Sequence, residues 1–224
     1  MNVVRSSAHR RRFLLACAGA LALCSLAQAA TLSAKELAQR VDHHYNSLRS
    51  LKATFTESYQ GLGMNRSEGG TLLLLKPGRM RWNYNSPTGK VFILDGKYAL
   101  SYTPGDAQVQ RIPAKDLNDL RSPLRYLLGH AQLSREIEHL TAIPATGGEF
   151  TLTGVPKSME NRVARVTLTV TVDGAITAIA IREIDGSVTS FRFADQQPNA
   201  AVSPATFQFA PPPGVPVVDS LPPI

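Results

Sequence analysis

Residues 69–109 read GGTLLLLKPGRMRWNYNSPTGKVFILDGKYALSYTPGDAQV. Four short apolar runs are separated by Lys76-Pro77-Gly78, Ser86-Pro87, Asp95-Gly96 and Pro104-Gly105. Short runs between such turn residues describe a strand meander. Leu72 to Leu75 and Val91 to Leu94 are apolar at every position. A sheet with one face in water alternates instead. Both faces of these strands therefore need an apolar cover, and a ligand is one candidate for it. Met80, Trp82 and Tyr84 share one face of their strand, and Arg79 and Arg81 the other. One reading is a soft apolar wall with a basic outer face. On pattern alone, the simpler reading is a core strand with solvated arginines.

Upstream of the meander, Ser33-Ala34-Lys35-Glu36 has the form of a capping box. Leu37, Val41, Tyr45 and Leu48 follow at helical spacing and make one apolar stripe. From Leu51 the period changes to two, with Ala53, Phe55 and Tyr59 on one face, until Gly61-Leu62-Gly63 turns the chain. Downstream, Ser122-Pro123 starts a short helix with Leu124, Leu127 and Leu128 on its apolar face, ending at Gly129. Further strands are expected near Glu136–Thr141, Glu149–Thr153, Ala164–Val172, Ile176–Ile184, Val188–Phe193 and Thr206–Phe209. Asp173-Gly174 and Asp185-Gly186 are hairpin turns. The proline-rich tail from Ala210 to Ile224 is expected to lie extended on the surface.

The sum is mainly β with some α: one antiparallel meander of about ten strands, which should curl, with two or three helices to plug its concave side. There is no internal repeat and no linker, so residues 30–224 form one domain.

Residues 1–29 are read as a secretory signal. Arg5, Arg10, Arg11 and Arg12 form a charged region, Phe13 to Leu26 an apolar one, and Ala27-Gln28-Ala29 a cleavage site. The run Arg10-Arg11-Arg12-Phe13-Leu14 also resembles a twin-arginine signal. Both cysteines, Cys17 and Cys24, lie in this segment, so the mature chain has no thiol and no disulfide. Neither fits a lipobox: Leu23 is bulky, and Cys17 has almost no apolar region before it. The four leader arginines account for much of the formal charge of +7, leaving 20 basic against 17 acidic residues. That excess does not argue for nucleic acid.

No catalytic constellation is present: there is no G-x-S-x-G and no cysteine nucleophile after the leader. His43 and His44 are adjacent on a helix and point apart, so they do not chelate together. They, His130 and His139 are read as solvent-facing. Glu136 and Glu138 are read as the solvated face of one strand. No metal or cofactor is expected.

Gly70-Thr71-Leu72, Lys76 to Tyr84, Asp95-Gly96 and Gln108-Val109 together resemble the periplasmic outer-membrane lipoprotein carriers, the LolA family. Ser122-Pro123-Leu124 with Leu127-Leu128 resembles that family's short helix. Phe207 to Val215 resembles its closing strand and Pro-Gly turn. The resemblance implies an incomplete antiparallel β-barrel with helices over its mouth and a cavity for acyl chains. It implies acylated lipoproteins as cargo, an ATP-driven inner-membrane release complex as donor and an outer-membrane receptor as acceptor. It also implies a monomer in the periplasm that hydrolyses nothing. Phe55, Leu72, Leu74, Met80, Trp82, Tyr84, Phe92 and Leu94 are assigned to the cavity or transfer surface. The family's basic lid latch, often arginine, is carried onto Lys76, which lacks arginine's fork. A lid-contacting leucine maps by spacing to Tyr45, with Leu48 close by. The family's Leu-Trp after Asp-Gly is Ala99-Leu100 here. The alternatives are an outer-membrane receptor, which needs an acylated cysteine, and a general lipid or glycolipid binder of the same fold. An envelope-stress sensor needs a second domain, for which the chain has no room.

Mass spectrometry of the exported protein should find an unmodified N-terminus at Ala30. A diacylated Cys17 or Cys24 would contradict a soluble carrier.

Overall fold

The computed structural model describes residues 32–115, 124–128, 132–157 and 159–220. The leader, the cysteines, Ser122-Pro123, Gly129 and His130 lie outside the described residues.

Helix α1 (Ala34–Ser47) starts with the expected reciprocal cap: the Glu36 amide donates to Ser33 Oγ, and Glu36 Oε2 accepts from the Ser33 amide. Its apolar stripe, Leu37, Ala38, Val41 and Tyr45, is buried, and so is Leu48 just past its end. Two long strands follow, β1 (Ser50–Gly61) and β2 (Met64–Leu75), and then β3 (Arg79–Tyr84), β4 (Val91–Asp95), β5 (Tyr98–Tyr102) and β6 (Val109–Pro113). After short helices α2 (Leu124–Leu128) and α3 (Leu133–Glu136) come β7 (Ile137–Pro144), β8 (Phe150–Pro156), β9 (Val163–Val170), β10 (Ile176–Glu183), β11 (Val188–Pro198) and β12 (Val217–Asp219). All twelve belong to one sheet, in the order β12-β6-β5-β4-β3-β2-β1-β11-β10-β9-β8-β7. Among the described residues the two end strands do not pair, so the sheet is open. Its core is largest on the face that α1 covers.

Two sequence expectations fail at the C-terminus. Thr206–Phe209 is not a strand; Pro204–Phe207 is a 3-10 turn capped by Ser203, whose hydroxyl accepts from the Ala205 amide. Proline at the first position favours that turn. The tail is not merely draped on the surface either, because β12 adds to the sheet edge in parallel with β6. Backbone bonds at its two ends, from the Val109 amide to the Pro216 carbonyl and from the Ser220 amide to the Arg111 carbonyl, set its register, and the Arg111–Asp219 ion pair, 2.6 Å long, lies between them. Glu136 ends α3 whereas Glu138 lies in β7, so the two carboxylates do not share a strand face.

The segment between β11 and β12 answers the question raised by the doubly apolar strands. Leu72 and Leu74 join the core under α1, whereas Leu73 and Leu75 join a second core on the opposite face, with Val91, Ile93, Leu100 and Tyr102. That second core is covered by Val202, Phe207, Phe209 and Val215. The outer cover is therefore the chain's own C-terminal strap. Arg81, expected to be solvated, is half-buried and ties the strap down: its Nη1 donates to the carbonyls of Thr206 (2.9 Å) and Gln208 (3.3 Å).

Phe207→Ala should lower unfolding free energy by about 3–5 kcal/mol, read by denaturant titration. A loss below about 1 kcal/mol, typical of a surface site, would mean that the strap is not part of the fold.

Candidate functional site

The face under α1 has an aromatic floor built from three neighbouring strands and β11. In register, Gly70 of β2 faces Phe55 of β1 on one side and Tyr84 of β3 on the other. A Cβ at Gly70 would lie 1.8 Å from the Asn83 carbonyl oxygen, so only glycine fits. Its missing side chain lets the flanking rings meet across β2, Phe55 to Tyr84 at 5.1 Å and Phe55 to Trp82 at 4.5 Å, both edge-on. Trp82 also meets Phe191 at 5.6 Å and Phe193 at 6.1 Å. Edge-to-face contacts of this kind are favourable beyond area burial. The floor ends in polar groups: Tyr84 Oη hydrogen-bonds Glu57 at 3.1 Å, and Lys90 pairs with Glu68 at 2.6 Å. Burial and the Glu57 charge raise the Tyr84 phenol above its ordinary range. Inside the floor, Trp82 Nε1 is buried and has no acceptor among the described residues.

All eight residues assigned to the apolar surface lie on this one face. Phe55, Leu72, Leu74, Met80, Trp82 and Leu94 are buried in its core, with Tyr84 and Phe92 packed against it. Ala99 faces the same way, whereas Leu100 faces the strap, so only the alanine touches the lining. Phe191 and Phe193 were not among the assigned residues, although the alternation Phe191-Arg192-Phe193 carries the signal.

Helix α1 shares the core of this face and is fastened at four places. Lys76 Nζ donates to the carbonyl of Tyr45, in the helix's last turn. Burial lowers the Lys76 ammonium below its ordinary pKa. The Tyr45 hydroxyl accepts from the Ile176 amide at 3.1 Å, at the start of β10. Burial holds that phenol well above its usual range. One residue thus joins the helix to both halves of the sheet. Nearer the helix middle, Arg40 Nη1 donates to the Val172 carbonyl at 2.7 Å. The turn at Gly174 (φ +92°) comes so close that a Cβ there would lie 2.3 Å from the Arg40 carbonyl oxygen. Finally, Asp42 Oδ1 accepts from the Leu133 amide at 3.0 Å and so docks α3 on α1. Burial raises the Asp42 carboxyl, partly offset by that amide.

Among the sequence-assigned latch residues, Lys76 and Tyr45 are in direct contact, and Leu48 is buried beside them without a polar role. His44 is half-buried rather than solvent-facing: its Nε2 is buried without a hydrogen-bond partner among the described residues, and burial lowers its pKa. His43 and His139 are exposed as expected. A polar cleft of about 770 Å³ runs between α1 and α3, lined by Lys35, Gln39, Asp42, Asn46, Gln132 and Arg135 among others. It lies along the polar side of α1, and none of the assigned apolar residues lines it. No cluster of metal-ligating side chains is found among the described residues.

The family model for the outer membrane lipoprotein carrier protein LolA matches residues 46–210. An outer-membrane lipoprotein carrier protein from Cronobacter sakazakii is 32% identical over 189 residues, covering 84% of this chain and 87% of the relative. One from Chromobacterium violaceum is 29% identical over 170 residues, covering 76% and 81%. Among solved structures, an uncharacterized conserved protein from Thermus thermophilus superposes with a TM-score of 0.55 at 14% identity, covering 84% of this chain and 99% of that one. That likeness concerns the fold alone. The matched span runs from the last turn of α1 through both cores to the strap, and the chain belongs to the LolA family of outer membrane lipoprotein carriers.

Proposed function

We propose that this protein is a periplasmic carrier that binds the acyl chains of lipoproteins released from the inner membrane and delivers them to an outer-membrane receptor. The observation that supports it most is an aromatic floor sharing its core with a helix that is fastened by individual hydrogen bonds. An acyl chain offers the floor the same kind of surface as the α1 stripe. Each CH₂ taken out of water contributes roughly 0.8 kcal/mol. Each tether contributes about 1 kcal/mol net. A few methylenes therefore outweigh one tether, and cargo can replace the lid without unfolding the sheet. The Trp82 indole N–H, unpartnered among the described residues, is suited to an ester or amide carbonyl at the head of an acyl chain. Its desolvation is a cost that such a carbonyl would relieve.

On this reading Lys76 is the latch and Tyr45 the catch, with Leu48 buried just past the end of the helix. Floor residues Phe55, Leu72, Leu74, Met80, Trp82, Tyr84, Phe92 and Leu94 take the chains. The carrier has no catalytic step of its own, and an ATP-driven inner-membrane complex supplies the energy of cargo release. The leader directs export to the periplasm and is removed after Ala29.

Incubating the purified protein with inner-membrane vesicles, ATP and the release complex should bring lipoprotein into solution. Phospholipid uptake with no lipoprotein recovered would replace the cargo by free lipid. Lys76→Leu should speed hydrogen exchange of the α1 amides by about fivefold, the value of one tether, and should change transfer. Global unfolding should shift little, and Lys76→Arg should restore exchange. Parallel losses of thermal stability and transfer would make Lys76 a structural residue only.

A further inference from the structure

Two hairpin tips stand side by side at the end of the sheet remote from Lys76. They are the β1–β2 turn at Leu62-Gly63 and the β10–β11 turn at Ile184 to Gly186. Their contact is close: a Cβ on Gly61 would lie 2.4 Å from Ser187 Cβ. Pairing of β2 with β3 begins only at Gly70, so the β1–β2 hairpin projects past β3.

This end departs from local rules twice. Leu62 and Gly63 both have positive φ, +50° and +77°, as the two-residue hairpin turn that favours Asn-Gly requires. A leucine there bears backbone strain, yet its side chain is 73% exposed. Met64 beside it is 60% exposed, and Ile184 on the neighbouring tip 64%. Separately, Arg165 of β9 and Arg182 of β10 are exposed and directly opposite in register. Like charges so placed repel, and neither has a carboxylate partner among the described residues. Asp185 accepts from the Ser187 amide at 2.8 Å, and Glu68 binds Lys90.

We propose that this hairpin end docks onto an anionic phospholipid surface, with Leu62, Met64 and Ile184 entering the interface and Arg165 and Arg182 meeting lipid phosphates. The apolar groups sit on projecting tips rather than in a groove, which suits a bilayer better than a protein partner. The arginine pair supplies the charge complementarity. A bilayer accepts isolated apolar side chains between basic ones, and anionic lipid attracts each nearby arginine. The inference goes beyond cargo binding, because the floor and Lys76 play no part in it.

The test is flotation of the mature protein with protein-free vesicles of phosphatidylcholine alone or mixed with phosphatidylglycerol. No lipoprotein is present, so the result is independent of the carrier reading. The protein should float with the mixed vesicles and not with the neutral ones. Leu62→Asn combined with Ile184→Ser should reduce binding by at least about tenfold. Leu62→Asn alone should leave thermal stability unchanged or raised, since asparagine suits the turn. Arg165→Glu with Arg182→Glu should abolish the preference for anionic lipid. Failure to float, or floating undiminished by the tip substitutions, would overturn the proposal. So would cross-linking of the tips to envelope proteins with no binding to protein-free vesicles.

Discussion

A sheet that is apolar on both faces stays in water only while both faces are covered, and the rest of this molecule follows from how the two covers differ. The outer cover is the C-terminal strap, which inserts Phe207 and Phe209 into the second core and is tied by Arg81 to two of its carbonyls. It ends as a strand in the same sheet. The inner cover is α1, a separate element laid on the floor by its stripe and fastened by single hydrogen bonds from Lys76, Ile176, Arg40 and Leu133. One cover is built into the sheet's edge; the other touches the sheet only through side chains and turns. On the carrier reading, that difference separates the fixed face from the one that exchanges its contents.

Tyr45 is where the inner cover meets both halves of the sheet. Its carbonyl accepts from Lys76 at the end of β2, and its hydroxyl accepts from the amide that opens β10. Gly174 brings the neighbouring β9–β10 turn against the helix backbone, where any Cβ would collide. The floor depends on a second glycine in a comparable way, since Gly70 opens the gap through which the rings of Phe55 and Tyr84 meet. Two positions without side chains thus set how closely α1 sits and how continuous the aromatic surface is.

Much of this was legible in the residues. The capping box and the stripe from Leu37 to Leu48 placed α1. The alternation of Met80, Trp82 and Tyr84 against Arg79 and Arg81 placed the floor, and the doubly apolar runs demanded two covers. What covers the outer face was not legible, because the covering residues lie more than a hundred positions downstream in a tail whose prolines hide β12. Nor could the pattern show that Arg81 works inside the protein, since a strap carbonyl leaves no mark in sequence. The floor partners Phe191 and Phe193 were visible as an alternating pair, but only the register of β11 beside β1 places them against Trp82. The assignment of Lys76 and Tyr45 as a latch came from the family resemblance. Physical reading alone left Lys76 in a turn.

Trp82 is the single tryptophan of the chain and sits at the centre of the floor. Its fluorescence therefore reports directly on whether acyl chains occupy that surface. Titration with a synthetic acylated N-terminal lipopeptide should change the emission saturably, and the same peptide without acyl chains should leave it unaltered. An emission spectrum indifferent to the acylated peptide, under conditions where the peptide binds, would place the cargo elsewhere and contradict the account.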